Sequence, residues 1–65
     1  MGTNYKLKSL IFIKYGSQVN FAYHLKIHEA LLSKIVRGWR QPDENLRRRI
    51  CEKLGAKEDE IFATN

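Results

Sequence analysis

The chain has 65 residues, a formal net charge of +5 and a single cysteine. A chain this short is expected to fold as one domain over residues 1–65, because a second hydrophobic core has no room to form. Cys51 can neither close an internal disulfide nor begin a zinc-finger pattern, so we expect a reducing compartment and a core without metal or cofactor.

No segment of the sequence has the pattern of an export signal or a membrane anchor. The longest apolar run, from Leu10 to Ile13, is too short for a signal-peptide core or a membrane span. Lys6 stands where a myristoylation signal has Ser or Thr. We therefore expect a cytoplasmic protein with no membrane partner.

The charge is distributed unevenly along the chain. Residues 1–49 hold ten Lys and Arg against three Asp and Glu, a net charge of +7. Residues 50–65 hold two against four, a net charge of −2. An excess of cations is typical of nucleic-acid-binding proteins, but charge alone does not distinguish them from other small basic proteins.

Glycine and proline divide the chain into about five short segments that are predicted to be helical. The first, residues 5–15, fits a helix through the spacing of four residues: Leu7, Leu10, Ile11 and Lys14. We predict a helix, although alternate residues of this segment also fit one face of a strand: Tyr5, Leu7, Ser9, Ile11 and Ile13.

The second and third predicted helices are short and adjacent. Ser17 is a suitable N-cap for the second helix, which is barely two turns long. Its inward side chains are predicted to be Phe21, Ala22 and Leu25. The third helix runs from about residue 28 to residue 37 and ends at Gly38, which can adopt the left-handed conformation that closes a helix.

The last two predicted helices complete the core. Asp43 can cap the fourth helix, in which Leu46, Ile50 and Leu54 form an apolar face that ends at Gly55. Three carboxylates at residues 58–60 favour the first turn of a fifth helix. Ile61 and Phe62 can then cover the core.

A helical wheel separates the third helix into an apolar and a polar face. His28, Leu31, Leu32, Ile35 and Val36 lie on one arc, which is expected to pack against the second helix. The opposite arc is short, polar and cationic: Glu29, Ala30, Ser33, Lys34 and Arg37. A free face of this kind fits the major groove of DNA, where Ser, Lys and Arg can reach base edges.

From Gln18 to Phe62 the sequence resembles the lambda-repressor-like, Cro-type helix-turn-helix domain of phage and bacterial transcription regulators. The residues that carry the resemblance have the spacing Gln-x3-Ala-x2-Leu-x-Ile-x4-Leu-x2-Ile-x2-Gly over residues 18–38, followed by Pro42, Leu-Gly at 54–55 and Ile-Phe at 61–62. The resemblance implies an all-α bundle of about five helices with a helix-turn-helix core at about residues 18–38.

The resemblance also implies a DNA-binding surface centred on the third helix. Gln18 would contact a phosphate, and Arg40, in the loop after Gly38, would approach the DNA backbone. The residues predicted to bind DNA are Gln18, His28, Glu29, Ala30, Ser33, Lys34, Arg37 and Arg40. The expected partner is a palindromic double-stranded operator, bound by a weak homodimer.

Two residues depart from the family pattern. Lys26 occupies the turn position where Gly is usual, so either a left-handed conformation there costs on the order of 1 kcal/mol or the turn differs from that of the family. Glu29 would repel phosphates and is useful near the start of a recognition helix mainly as an acceptor from a cytosine amino group.

Other conspicuous residues have simpler interpretations. Gln18 could instead cap its own helix, and the cations of the third helix could form an ordinary solvated face. We expect Trp39 to be a partly buried lid, the arginines at 47–49 to be a solvated stripe, and Cys51 to be a small buried thiol. His24 and His28 have a spacing similar to that of metal ligands, but the resemblance implies a turn between them that breaks the helical register, and no third ligand is near.

An enzyme is not expected, because the sequence contains no Gly-rich phosphate loop and no plausible nucleophile–base pair. The alternative to DNA binding is a protein-interaction module of the same fold, such as an antitoxin or adaptor. Phe12, Ile13, Tyr23 and Val36 cannot all be buried in so small a core, and those that remain exposed would mark a dimer or partner surface. For the homodimer we expect contacts from Ile61 and Phe62, with Phe12 and Ile13 as further candidates.

Overall fold

A computed structural model describes residues 2–62. It contains five α-helices: α1 (Tyr5–Tyr15), α2 (Gln18–Leu25), α3 (Glu29–Val36), α4 (Glu44–Leu54) and α5 (Glu58–Ile61). The part of the chain that is described contains no strand. The prediction of a compact all-α bundle is confirmed, and residues 5–15 form the predicted helix and not the alternative strand.

Polar side chains begin three of the helices. The hydroxyl of Ser17 accepts a hydrogen bond from the Asn20 amide at 3.1 Å, and Asp43 accepts one from the Leu46 amide at 2.8 Å. Both caps were predicted from the sequence. Asn4, which was not predicted as a cap, accepts from the Leu7 amide at 3.1 Å. Each cap satisfies one of the amide groups that the first turn of a helix leaves without a partner.

A residue with positive φ lies at or just after the C-terminal end of each of the four longer helices, α1 to α4. Gly16, Gly38 and Gly55 have φ values of 82°, 79° and 66°. Lys26, at the end of α2, has φ 61° and is the one non-glycine residue with positive φ within residues 2–62. Of the two alternatives for Lys26, the structure shows the left-handed conformation, with a Cβ in a region that favours glycine.

The core lies around α1, which packs against each of the other four helices. Leu7 and Ile11 point inward from α1, and most of the inward residues predicted for α2 and α4 are buried. Leu46, at the start of the α4 face, is half-buried. The fully buried side chains include Leu7, Phe21, Leu25, Leu32, Ile50 and Leu54. Ile61 is buried and Phe62 packs against the core, as predicted.

Asn4 joins the ends of three helices. Besides capping α1, its side-chain amide donates to the Ile61 carbonyl at 2.8 Å, and its main-chain amide donates to the Val36 carbonyl at 2.7 Å. The start of α1 is thus tied to the ends of α3 and α5. This fixes the end of α3 relative to the rest of the bundle.

The prediction of a solvated arginine stripe on α4 is wrong for two of its three members. Arg47 is half-buried and pairs with Glu58 at 3.1 Å, which links α4 to α5. Arg49 is also half-buried and donates to the carbonyl of Leu25 at the end of α2. Arg48 alone is exposed, 4.0 Å from Glu44 on its own helix. Arg47 and Arg49 differ from the prediction because their partners, Glu58 and Leu25, lie on other helices. Contacts between helices cannot be recognised from neighbouring residues in the sequence.

Candidate nucleic-acid interface

Two eight-residue helices, α2 and α3, are joined by a tight turn at residues 26–28. The amide of Lys26 donates to the Tyr23 carbonyl, and the amide of Ile27 donates to the Ala22 carbonyl, both at 3.1 Å. Ala22 is buried and Ile27 is half-buried against the core. The amides of Lys26 and Ile27 are therefore satisfied by carbonyls of α2, and residues 26–28 separate α2 from α3.

The outer face of α3 matches the predicted polar arc. Leu32, Ile35 and Val36 are buried, whereas the residues between them are exposed or half-buried. Within Glu29–Val36 and its C-cap, Glu29, Ala30, Lys34 and Arg37 are exposed, and Ser33, on the same arc, is half-buried, as is Leu31 outside that arc. Because the residues of the polar arc fall on one continuous side of the helix, they form a single ridge that could enter a groove.

His28 was predicted to lie on the apolar arc of the third helix, and the structure does not place it there. It is exposed, with φ −67° and ψ 139°, and is the N-cap residue of α3 and not part of its first turn. The helical wheel does not apply to a residue outside the helix. The prediction that His28 points toward the core is therefore wrong. His28 is exposed next to Glu29, at the N-terminal end of the ridge.

The loop after α3 carries Trp39 and Arg40. Gly38 turns the chain, and the Trp39 amide donates to the Lys34 carbonyl at 2.9 Å, which closes the end of α3. Trp39 is 69% exposed, so the prediction of a partly buried lid is wrong. Its ring instead lies 5.4 Å from the guanidinium carbon of Arg37, within range of a cation–π contact. Arg40 is exposed next to it.

Gln18 is the first residue of α2 and is half-buried. Its neighbour Ser17 is the N-cap, so the alternative that Gln18 caps its own helix is wrong. The first turn of α2 contains no acidic residue to complement the partial positive charge of the helix start. This end of α2 is therefore compatible with an anionic group.

The cations of α3 and its loop differ from those of α4 in their surroundings. Both ion pairs found within residues 2–62 involve α4 arginines, Arg47 and Arg48. Lys34, Arg37 and Arg40 are exposed and form no ion pair with any described residue. Glu29 is the one acid on the α3 ridge, so this surface carries a positive net charge.

Large exposed apolar side chains lie mostly away from the α3 ridge. Tyr5, Phe12 and Ile13 belong to α1, and Val19 and Tyr23 belong to α2. Val36, the fourth residue considered for an exposed patch, is buried. On the ridge itself the one apolar member is the small Ala30, with Trp39 following in the loop.

Other kinds of site have little support in residues 2–62. No group of three or more His, Cys, Asp or Glu side chains there could hold a metal ion. None of the described helices is both long enough and apolar enough to cross a membrane. Cys51 is buried as predicted, and burial, reinforced by the nearby Glu58, raises the pKa of its thiol.

Sequence reasoning missed three contacts that position this surface. Asn4 is a residue type that favours N-caps, so its cap could have been recognised from its place before an apolar segment. The hydrogen bond from Arg49 to Leu25 and the contact between Arg37 and Trp39 depend on the tertiary arrangement and have no local signal.

No family model matches the chain, and comparisons with curated proteins and with solved structures find no match either.

Proposed function

We propose that this protein binds double-stranded DNA sequence-specifically, as a small phage- or prokaryote-type transcriptional regulator and not as an enzyme. In this proposal α2, the turn and α3 act as a helix-turn-helix, with α3 in the major groove. The observation that carries the proposal is the exposed ridge of α3, whose cations have no ion-pair partner among the described residues. Such a function would be exercised in the cytoplasm.

The residues of the ridge are suited to different parts of DNA. Ser33 and Lys34, in the second turn of α3, have side chains that can hydrogen-bond to base edges in the major groove. Arg37 and Arg40, at and beyond the end of the helix, would neutralise phosphates. At the leading end His28 and Glu29 are exposed, and Glu29 would accept from a cytosine amino group. Ala30 is small enough to let the helix approach the bases.

Gln18 would hold the start of α2 against the DNA backbone. Its side chain can donate to a phosphate oxygen, and the partial positive charge of the helix start favours an anion at the same place. With Arg40 at the other end of the surface, the two residues would fix the orientation of α3. Contacts of this kind set the position of a protein on DNA without reading its sequence.

The distribution of apolar surface favours DNA over the alternative, an antitoxin or adaptor that binds protein through α3. A protein interface has an apolar centre. The α3 ridge has Ala30 as its one apolar member, whereas the large exposed apolar residues lie mainly on α1 and α2. If a protein partner exists, a surface other than the α3 ridge is the better candidate.

We further propose that two copies bind one palindromic site. A single recognition helix contacts only a few base pairs, so a lone domain would bind close to the non-specific level of about 10⁻⁴ to 10⁻⁶ M. Ile61, one of the expected dimer contacts, is buried and cannot contribute. Phe62 is half-buried and remains available, next to the exposed carboxylates of α5. So small a surface would give a weak dimer that DNA stabilises.

Selection from a pool of random duplexes tests this function. We expect enrichment of a palindrome whose half-sites are centred about one helical turn, 10–10.5 base pairs, apart. Light scattering should then show two protein copies on each selected duplex. Absence of any enriched sequence would contradict sequence-specific binding, whereas enrichment with one copy per duplex would contradict the dimer alone.

A further inference from the structure

Helix α1 and the start of α2 form a groove of about 410 Å³. We call this surface the α1 groove. Its lining includes Tyr5, Lys8, Ser9, Phe12, Ile13 and Gln18. The exposed α1 residues of this set are spaced by three or four residues and share one face of the helix, and the buried Ile11 also contributes to the lining.

The α1 groove is strongly apolar for an exposed surface. Tyr5, Phe12 and Ile13 are 71%, 70% and 75% exposed. A helix that packs on the core with one face usually has a polar opposite face. Because α1 is apolar on both faces, and because contiguous exposed apolar surface marks interaction sites, its outer face is expected to be covered by another molecule.

The charges around the α1 groove decide what kind of molecule covers it. Helix α1 carries three lysines, Lys6, Lys8 and Lys14, and no acidic residue. All three are exposed, and none forms an ion pair with another described residue. Of these lysines Lys8 lines the groove, so a second copy packed α1 against α1 would bring the two Lys8 side chains together without a compensating carboxylate from α1. A partner with carboxylates is complementary instead.

We propose that the α1 groove binds an acidic amphipathic segment of a partner protein. Leucine- or phenylalanine-like side chains of that segment would fill the space between Tyr5, Phe12 and Ile13. A carboxylate of that segment would pair with Lys8, the lysine that lines the groove. Ser9 in the middle of the face is small and lets the segment approach, and its hydroxyl can donate a hydrogen bond.

Occupation of the α1 groove would also affect DNA binding, an extension that rests on the proposed function. Gln18 lines the groove and is at the same time the proposed phosphate contact of α2. A carboxylate of the bound segment and a phosphate of DNA would compete for this end of α2. The partner would therefore act as a competitive inhibitor of operator binding.

A displayed library of random 16-residue peptides, selected against the intact protein, tests the docking proposal directly. We expect the enriched peptides to combine net negative charge with Leu, Phe or Trp at helical spacing. A synthetic copy of one such peptide should shift the amide NMR signals of Lys8, Ser9, Phe12 and Ile13. Enrichment of neutral or basic peptides, or of no peptide that contacts these residues, would overturn the proposal.

Substitutions in the α1 groove provide the matched comparison. Phe12→Ser together with Ile13→Ser should weaken binding of the selected peptide at least tenfold without changing the fold, since both side chains are exposed. Tyr23→Ser removes an equally exposed aromatic side chain, 78% accessible, outside the groove and should change affinity less than twofold. Lys8→Glu should weaken binding of the acidic peptide at least fivefold. Equal effects of the groove substitutions and Tyr23→Ser would contradict the site.

The two parts of the proposal can fail separately. Peptide binding is measured without DNA, so a chain that binds no DNA can still show the docking site. If the selected duplex and the peptide bind at the same time with unchanged affinities, the inhibition is wrong and the docking surface stands. A concentration-dependent dimer in the absence of DNA that Phe12→Ser and Ile13→Ser dissolve would identify a second copy as the occupant and overturn the acidic partner.

Discussion

The guanidinium group of Arg49 on α4 donates a hydrogen bond to the main-chain carbonyl of Leu25, the last residue of α2. A cation at this position satisfies a carbonyl that the helix itself leaves free and lies at the negative end of the helix dipole. Since the turn and α3 follow directly, Arg49 holds the end of α2 from which the proposed recognition helix is positioned.

Removal of this contact should destabilise the protein. We expect Arg49→Met to lower the free energy of unfolding by about 1.5 kcal/mol, because a hydrogen bond from a charged donor is lost. The neighbouring Arg48 is exposed and has only a 4.0 Å contact with Glu44, so Arg48→Met should change stability by less than about 0.5 kcal/mol. Urea denaturation of the two variants measures the difference, and equal stabilities would contradict this role of Arg49.

The left-handed conformation of Lys26 predicts a stabilising substitution. Its φ of 61° is disfavoured by a Cβ, so Lys26→Gly should raise the free energy of unfolding by up to about 1 kcal/mol. Lys26→Ala removes the same charge but retains the Cβ and should give no comparable gain. Thermal unfolding of both variants separates backbone conformation from charge; a similar gain in both would show that the charge is responsible.

Local sequence signals accounted for most of the fold. The caps at Ser17 and Asp43, the glycine at position 38 and the spacing of Leu32, Ile35 and Val36 indicate helices through rules that involve only neighbouring residues. The segment 5–15 was ambiguous because α1 is apolar on both faces, so neither a helical nor a strand period stands out. Its helical form follows from packing against all the other helices.

The sequence predicted the exposed face of α3 correctly, but it did not predict the residues at either end of that helix. The outer arc of α3 follows from periodicity, and its exposure agrees with that prediction. His28 and Trp39 were misplaced because each lies beyond the regular helix, where the wheel no longer applies. The partners of Arg47 and Arg49 come from distant parts of the chain, so no local pattern distinguishes these arginines from the exposed Arg48.

Substitutions on the proposed DNA surface should separate base contacts from phosphate contacts. Ser33→Ala or Lys34→Ala should alter the preference among duplex sequences, since a good base contact contributes about 1–3 kcal/mol of discrimination. Arg40→Ala should weaken binding to all sequences alike. Competition assays with the selected site and its single-base variants measure both effects. Indistinguishable behaviour of the three variants would refute the division of roles.

The buried thiol of Cys51 predicts a loss of stability at alkaline pH. Burial, and then the charge of Glu58, raise the pKa of Cys51 in the folded protein above its ordinary value of 9.0, while Arg47 acts in the opposite direction. Well below pH 9.0 both the folded and the unfolded thiol are protonated, so this group does not make stability depend on pH there. Above that pH the unfolded chain releases the proton first, and stability falls as pH rises.

The variant Cys51→Ala isolates this effect from the titration of Tyr and Lys. Urea denaturation between pH 8 and pH 10.5 should show a steeper decline of the free energy of unfolding for the natural protein than for the variant. The variant will be less stable at every pH because it loses buried volume, so the slopes and not the absolute values are compared. Parallel slopes would contradict a raised pKa of Cys51.

The measurement that tests DNA binding through α3 most directly is a titration of a fluorescent duplex at two or more salt concentrations, with two double variants of equal charge. The natural protein should bind with an affinity whose logarithm falls with log salt by about 0.9 per phosphate contacted. Arg37→Ala with Arg40→Ala should reduce that slope by about 2, whereas Lys53→Ala with Lys57→Ala, exposed cations near the acidic end of the chain, should leave it almost unchanged. A flat salt response, or the same slope in both double variants, would contradict the account.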